Sequence, residues 1–216
     1  MSARRSLIAA LIMLAGVTNA SATTIPIGIG AFGAGSTLTT FTGLADGTEV
    51  NGLTVNGILF SYSLGNGQVI IDGGPGTTND VAPPNVVSVG NNTGVLSLAF
   101  PTLIDRFGYG FAILSDASIP NATTISLFDG ATPVGSLTFP GVPDPTFTGG
   151  FAGIQSTILF NRADVTFNSV GVPAFALDNV RTATPGTTAV PEPATLLLLG
   201  SGLGVTARYR RRRQQQ

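Results

Sequence analysis

The chain has 216 residues with neither cysteine nor histidine, and its formal net charge is −1. The missing cysteine excludes disulfides, and the two absences together exclude ordinary zinc sites and every catalytic arrangement built on an imidazole. Lysine is absent as well, so all ten basic residues are arginines, and their placement divides the chain.

Residues 1–22 read as a secretory signal peptide. Arg4 and Arg5 supply a positive start, Leu7 to Val17 is a short apolar run, and Ala20-Ser21-Ala22 places small residues around a cleavage site before Thr23. Between Thr23 and Ala189 only Arg106, Arg162 and Arg181 remain, against ten of the eleven acids, which leaves about −7. The near-neutral total conceals an acidic exported part, which suits divalent cations and lacks the basic footprint of a nucleic-acid binder.

Residues 23–182, about 160 in number, are enough for one hydrophobic core. Ile58, Phe60, Tyr62 and Leu64 alternate with Leu59, Ser61 and Ser63, and Leu96, Leu98 and Phe100 alternate with Val95, Ser97 and Ala99, the period of half-buried strands. Similar runs at Ile25 to Phe32, Val50 to Val55, Gln68 to Asp72, Ile104 to Leu114, Thr124 to Phe128, Pro133 to Phe139, Ile154 to Phe160, Ala163 to Phe167 and Ala174 to Val180 bring the count to about ten or eleven strands. Asn51-Gly52, Asn56-Gly57, Asn66-Gly67 and Asp129-Gly130 supply the positive φ of tight turns. The pattern predicts an all-β fold, an antiparallel jelly-roll β-sandwich.

Two irregular stretches interrupt it. Gly73 to Asn85 (GGPGTTNDVAPPN) is too rich in Gly and Pro for an element and is expected to be an exposed loop. It lacks the lysine and following helix of a phosphate cradle. Pro140 to Gly150 (PGVPDPTFTGG) is expected to be a second loop.

Residues 183–189 form a small-residue linker. The remaining stretch, 190–216, opens with Val190, Pro191, Glu192 and Pro193, continues as an apolar run from Ala194 to Ala207, and ends in Arg208, Arg210, Arg211, Arg212 and Arg213. The order of breaker, greasy helix and positive stop predicts a transmembrane helix at about 194–209 with its arginines in the cytoplasm. Fourteen residues of helix span only ~21 Å, short of a ~30 Å hydrocarbon core, so the anchor is marginal.

VPEPAT, LLLLGSGLG and ARYRRRR, in that order, resemble the C-terminal sorting signal of bacterial PEP-CTERM proteins. The resemblance implies a membrane-anchored precursor handled by an exosortase, a membrane protease that would act near Pro191-Glu192-Pro193 and pass the protein to the cell surface or beyond.

The run from Phe41 to Ser63, FGYGFAIL (Phe107 to Leu114) and Gly149 to Val180 resemble the sandwich common in PEP-CTERM proteins, which is similar in pattern to galactose-binding-like carbohydrate modules. That resemblance implies a structural calcium between an early acidic turn, here Asp46, Thr48 and Glu49, and an acid on the last strand, here Asp178. The plainer alternative is a turn acid and a strand-end acid. Sugar binding needs an aromatic platform; with no tryptophan, and Tyr62 on the inward face, Tyr109 is the candidate. No pair of carboxylates is marked for hydrolysis, so no catalytic residue is assigned. The expected function is a non-catalytic structural or adhesive role in the envelope or extracellular matrix. The alternative is a calcium-dependent module for exopolysaccharide.

Overall fold

The computed structural model describes residues 22–89, 92–168 and 174–185. The signal peptide other than Ala22, the Pro-Glu-Pro segment, the transmembrane helix and the arginine cluster lie outside the described residues.

Eleven strands are arranged as β1 (Thr24–Pro26), β2 (Thr37–Thr39), β3 (Thr54–Val55), β4 (Ile58–Tyr62), β5 (Val69–Asp72), β6 (Asn85–Ser88), β7 (Leu96–Ile113), β8 (Ile119–Asp129), β9 (Thr132–Asp144), β10 (Phe147–Phe167) and β11 (Phe175–Ala183), with one 3-10 turn at Ile29–Ala31. All the strand pairs are antiparallel, and the main path runs β5-β6-β11-β7-β10-β8-β9.

Two long strands turn this path into a sandwich. The start of β7 (Leu96 to Ala99) lies between β4 and the end of β10, whereas its end (Arg106 to Ile113) lies between β11 and the start of β10. The register of β10 shifts between Gln155, Phe160 and Arg162, and irregularities of this kind let a strand leave one layer and enter another. The first layer is therefore β4-β7-β10-β8-β9, and the second is β5-β6-β11-β7-β10 with β1 on its edge. Rings from both layers meet between them. Phe167 of the first lies 6.4 Å from Tyr109, 6.3 Å from Phe111 and 4.0 Å from Phe175 of the second, centroid to centroid.

The expected alternation holds for Ile58, Phe60 and Tyr62 and for Leu96, Leu98 and Phe100, all buried, but Leu64 lies beyond the end of β4 and is exposed. Asn56 (φ 50°) and Gly57 (φ 80°) form the two-residue hairpin between β3 and β4, a turn that asks for left-handed backbone at both positions. Other expectations need correction. Ile25 to Phe32 is only a three-residue strand followed by a 3-10 turn. Pro140 to Gly150 is not a loop: β9 continues to Asp144 and β10 begins at Phe147. Pro143 stands opposite Thr148 where β9 pairs with the start of β10. The pairs of runs at 95–100 with 104–114, and 154–160 with 163–167, are continuous strands.

Candidate functional site

In the second layer the run Phe107-Gly108-Tyr109-Gly110-Phe111-Ala112 puts three rings into the core and three small residues on the outer face. A Cβ on Gly110 would lie 2.1 Å from the carbonyl oxygen of Asp80, and one on Gly149 would lie 3.0 Å from the Cβ of Asn79. The missing side chains let the segment 73–84 lie against the sheet as a strap. Val81 in its middle is buried in a small cluster with Ala112 and Ala176, flanked by Val87 and Phe147. The expected exposed loop is therefore partly a cover.

Polar contacts fasten the strap at both ends of the face. Arg181 pairs with the Asp80 carboxylate, and the Asn179 side-chain amide donates to the Asp80 carbonyl at 2.8 Å. The Ala82 N–H donates to Asp178 Oδ2 at 3.0 Å. At the other edge the Asn79 N–H donates to Asp144 Oδ2 at 3.2 Å, and Thr78 Oγ1 donates to the Asp144 carbonyl at 2.9 Å. Asn79, Asp80 and Asn179 all have φ between 51° and 60°, a conformation that Asn and Asp tolerate better than other side chains.

Asp178 is 2 % exposed, and its second oxygen, Oδ1, has no hydrogen-bond partner. Burial pushes its carboxyl up to about 6; the nearby Asp80 adds to the rise, while the N–H groups of Asn179 and Ala82 and the Arg181 charge oppose it. Beside the strap is a cleft of about 270 Å³, lined by Asp72, Pro75, Leu114, Phe147 and Phe175 among others. Its walls are mainly apolar with one carboxylate at the edge, so it fits a small amphipathic group better than an anion.

The calcium candidates are not brought together. Asp46 is exposed, Thr48 Oγ1 donates to the Ala45 carbonyl at 2.6 Å, and the Glu49 carboxylate accepts from the Gly67 N–H at 3.0 and 3.1 Å. Glu49 bridges to Ile70 on β5, which is separated from the strand of Asp178 by β6. Three strand spacings amount to about 14 Å, too far for one ion. Among the described residues no three acidic side chains gather where they could hold a metal.

Tyr109 is also corrected. It is 0 % exposed, its hydroxyl shares a 2.6 Å hydrogen bond with Thr123 Oγ1, and burial raises its pKa far above the ordinary phenol value. It is a core residue whose polar end is satisfied inside. Sequence reasoning missed the strap contacts because Asp80 and Arg181 stand 101 positions apart. One signal was available: the alternation of rings with Gly, Gly and Ala marked a face that something approaches closely.

The described part is thus an antiparallel β-sandwich with a sealed aromatic core and one strapped face. The chain carries a sorting signal at its other end: the family model of the PEP-CTERM protein-sorting motif matches residues 189–213. The motif marks a secreted protein handled by an exosortase. No curated protein sequence matches the chain. Similar solved structures include a mutant of CBM29-2, a family 29 carbohydrate binding module, at 11% identity and a TM-score of 0.37, covering 73% of this chain and 98% of that one. They also include the catalytic domain of a GH87 alpha-1,3-glucanase in complex with nigerose, at 11% identity and a TM-score of 0.34, covering 81% and 30%.

Among the described residues no helix is long and apolar enough to cross a membrane.

Proposed function

We propose that this chain is a non-catalytic β-sandwich delivered to the cell envelope or extracellular polymer as a structural or adhesive part. The observation that carries the reading is the sorting motif at 189–213, which follows in sequence a sandwich of about 160 residues. Val190, Pro191, Glu192 and Pro193 are the segment offered to the exosortase, and the arginines from Arg208 to Arg213 hold the precursor's tail on the cytoplasmic side. The described part supports a mechanical role: its largest side chains are buried between layers, and the strap secures an outer face by ion pair and hydrogen bonds.

The test is mass spectrometry of the mature protein in its host. The expected species begins at Thr23, lacks the arginine tail and fractionates with the envelope or matrix. An intact C-terminus ending at Gln216 in the surface fraction would falsify the sorting assignment.

A further inference from the structure

The sheet begins where the predicted cleavage site ends. Removal of residues 1–22 makes Thr23 the first residue, and Thr23 is tied to β10: its N–H donates to Thr157 Oγ1 at 3.1 Å, and the Thr157 N–H donates to the Thr23 carbonyl at 3.1 Å. β1 continues with Thr24 opposite Ser156, Ile25 opposite Gln155 and Pro26 opposite Ile154. Cleavage after Ala22 therefore takes no rung from the sheet. Hydrolysis of the Ala22–Thr23 bond by a signal peptidase consumes one water, sends a carboxylate away on Ala22 and leaves the Thr23 nitrogen as an α-ammonium. Before cleavage that nitrogen is a neutral amide whose one hydrogen goes to Thr157. Afterwards it carries a positive charge and two further hydrogens that need acceptors.

A carboxylate faces the same cleft. Thr23 and Asp105 line one hollow of about 360 Å³ together with Gln155, Ser156 and Thr157. Asp105 is 8 % exposed, and its Oδ1 is buried with no hydrogen-bond partner among the described residues. Its Oδ2 has the Arg106 guanidinium at 3.6 Å, while that side chain donates to the Ala31 carbonyl at 3.2 Å. A buried carboxylate oxygen without a donor is costly, so the site is incomplete as it stands. The register explains the placing. β10 has β1 on one side and β7 on the other, with Thr24 opposite Ser156 and Arg106 opposite Gln155, so Asp105 and the chain start flank β10 at Ser156. Two strand spacings, ~9.6 Å, separate the two main chains, and the Asp105 side chain and a freed chain end shorten that gap from both sides.

We propose that the hollow beside Asp105 is the seat of the chain's own α-ammonium, a site completed only when the signal peptide is removed. The proposal rests on cleavage after Ala22 and adds its consequence. The occupant follows from the chain itself: Thr157 already holds the Thr23 nitrogen at the cleft, and the protein has no lysine that could supply another amine. The exported form is tied at its first residue by a charge pair that the precursor lacks. The fold is thereby tightened after export, and the precursor is left looser for translocation.

The absence of lysine makes the test selective, because the α-amino group is the single primary amine of the mature polypeptide. Mature protein recovered from the host is first sequenced from its N-terminus. A start other than Thr23 overturns the cleavage reading and the proposal together; a Thr23 start leaves the proposal to the two measurements that follow. The protein is treated with an acetylating N-hydroxysuccinimide ester over a range of pH, folded and in urea. The folded amine should react about tenfold more slowly at pH 7, with the pH midpoint of its reaction raised by about one unit, because a paired carboxylate favours the ammonium. Steric cover alone slows the reaction without moving the midpoint. Once acetylated, the folded protein should melt about 3 °C lower. Asp105→Asn should return the midpoint to that of the unfolded chain and make acetylation neutral to melting within about 1 °C. An unshifted midpoint in the wild-type protein overturns the proposal, and so does a raised midpoint that survives in folded Asp105→Asn. Should that variant not fold, the wild-type midpoint and the melting shift on acetylation decide.

Discussion

The outer faces of the two layers share one strand pair, β7 and β10, yet they solve opposite problems. Along the end of β7 the outward positions are Gly108, Gly110 and Ala112; the strap carrying Asp80 and Val81 lies over Gly110 and Ala112, and the Phe151 ring lies over Gly108. Along its start the outward positions are Ser97 and Ala99, and the face keeps its hydroxyls bonded laterally. Removing side chains from a pleated surface lets a second backbone approach; keeping short polar ones leaves the surface in water. The difference teaches that the same strand can be a floor in one layer and a display in the other, depending on two or three residues.

Substitutions at matched positions on the two faces should separate them most clearly. Gly110→Val places atoms where the Asp80 carbonyl stands 2.1 Å away, and the strap must lift; the expected loss is roughly 4 kcal/mol, against under about 0.5 for Ser126→Val on the open face. Chemical denaturation of the two variants measures this, and equal losses would erase the distinction. Next is the fastening. Arg181→Ala leaves the partly buried Asp80 unpaired and should cost about 3 kcal/mol, with part of it recovered in the Asp80→Asn, Arg181→Ala double variant.

A smaller effect depends on pH. The Asp178 carboxyl is raised in the folded state, so its contribution is fully favourable below the ordinary carboxyl pKa of about 4 and is lost as pH rises through about 6. Asp178→Asn should therefore gain about 2 kcal/mol relative to wild type on going from pH 4 to pH 7, read from denaturant midpoints. A pH-independent difference would mean that the carboxyl ionises freely beneath the strap. The smallest expected effect is that of calcium removal. Because Asp46, Glu49 and Asp178 do not converge, EDTA should move the melting temperature by less than about 1 °C. A larger fall would show a donor set assembled elsewhere.

Much of the layer structure was legible. Tyr62 and Phe60 alternate with Ser61 because a half-buried strand imposes a two-residue period, and that period is local. Asn56-Gly57 announced its hairpin for an equally local reason. What escaped were features that depend on partners far along the chain. Tyr109 read as a free aromatic because nothing nearby in sequence shows that the Thr123 hydroxyl, itself bonded to the Thr166 carbonyl, meets its hydroxyl in the core. Asp178 read as a ligand because its distance from Glu49 is set by the two strands placed between them.

The amino-acid sequence by itself determined the strand periods, the turns, the acidic exported part and the sorting motif at 189–213, since each is written in neighbouring residues. Only the tertiary structure decided that segment 73–84 covers the second layer, that Tyr109 belongs to the core, and that Thr23 and Asp105 line one cleft. Register across a sheet couples positions tens of residues apart, and no local pattern carries that information.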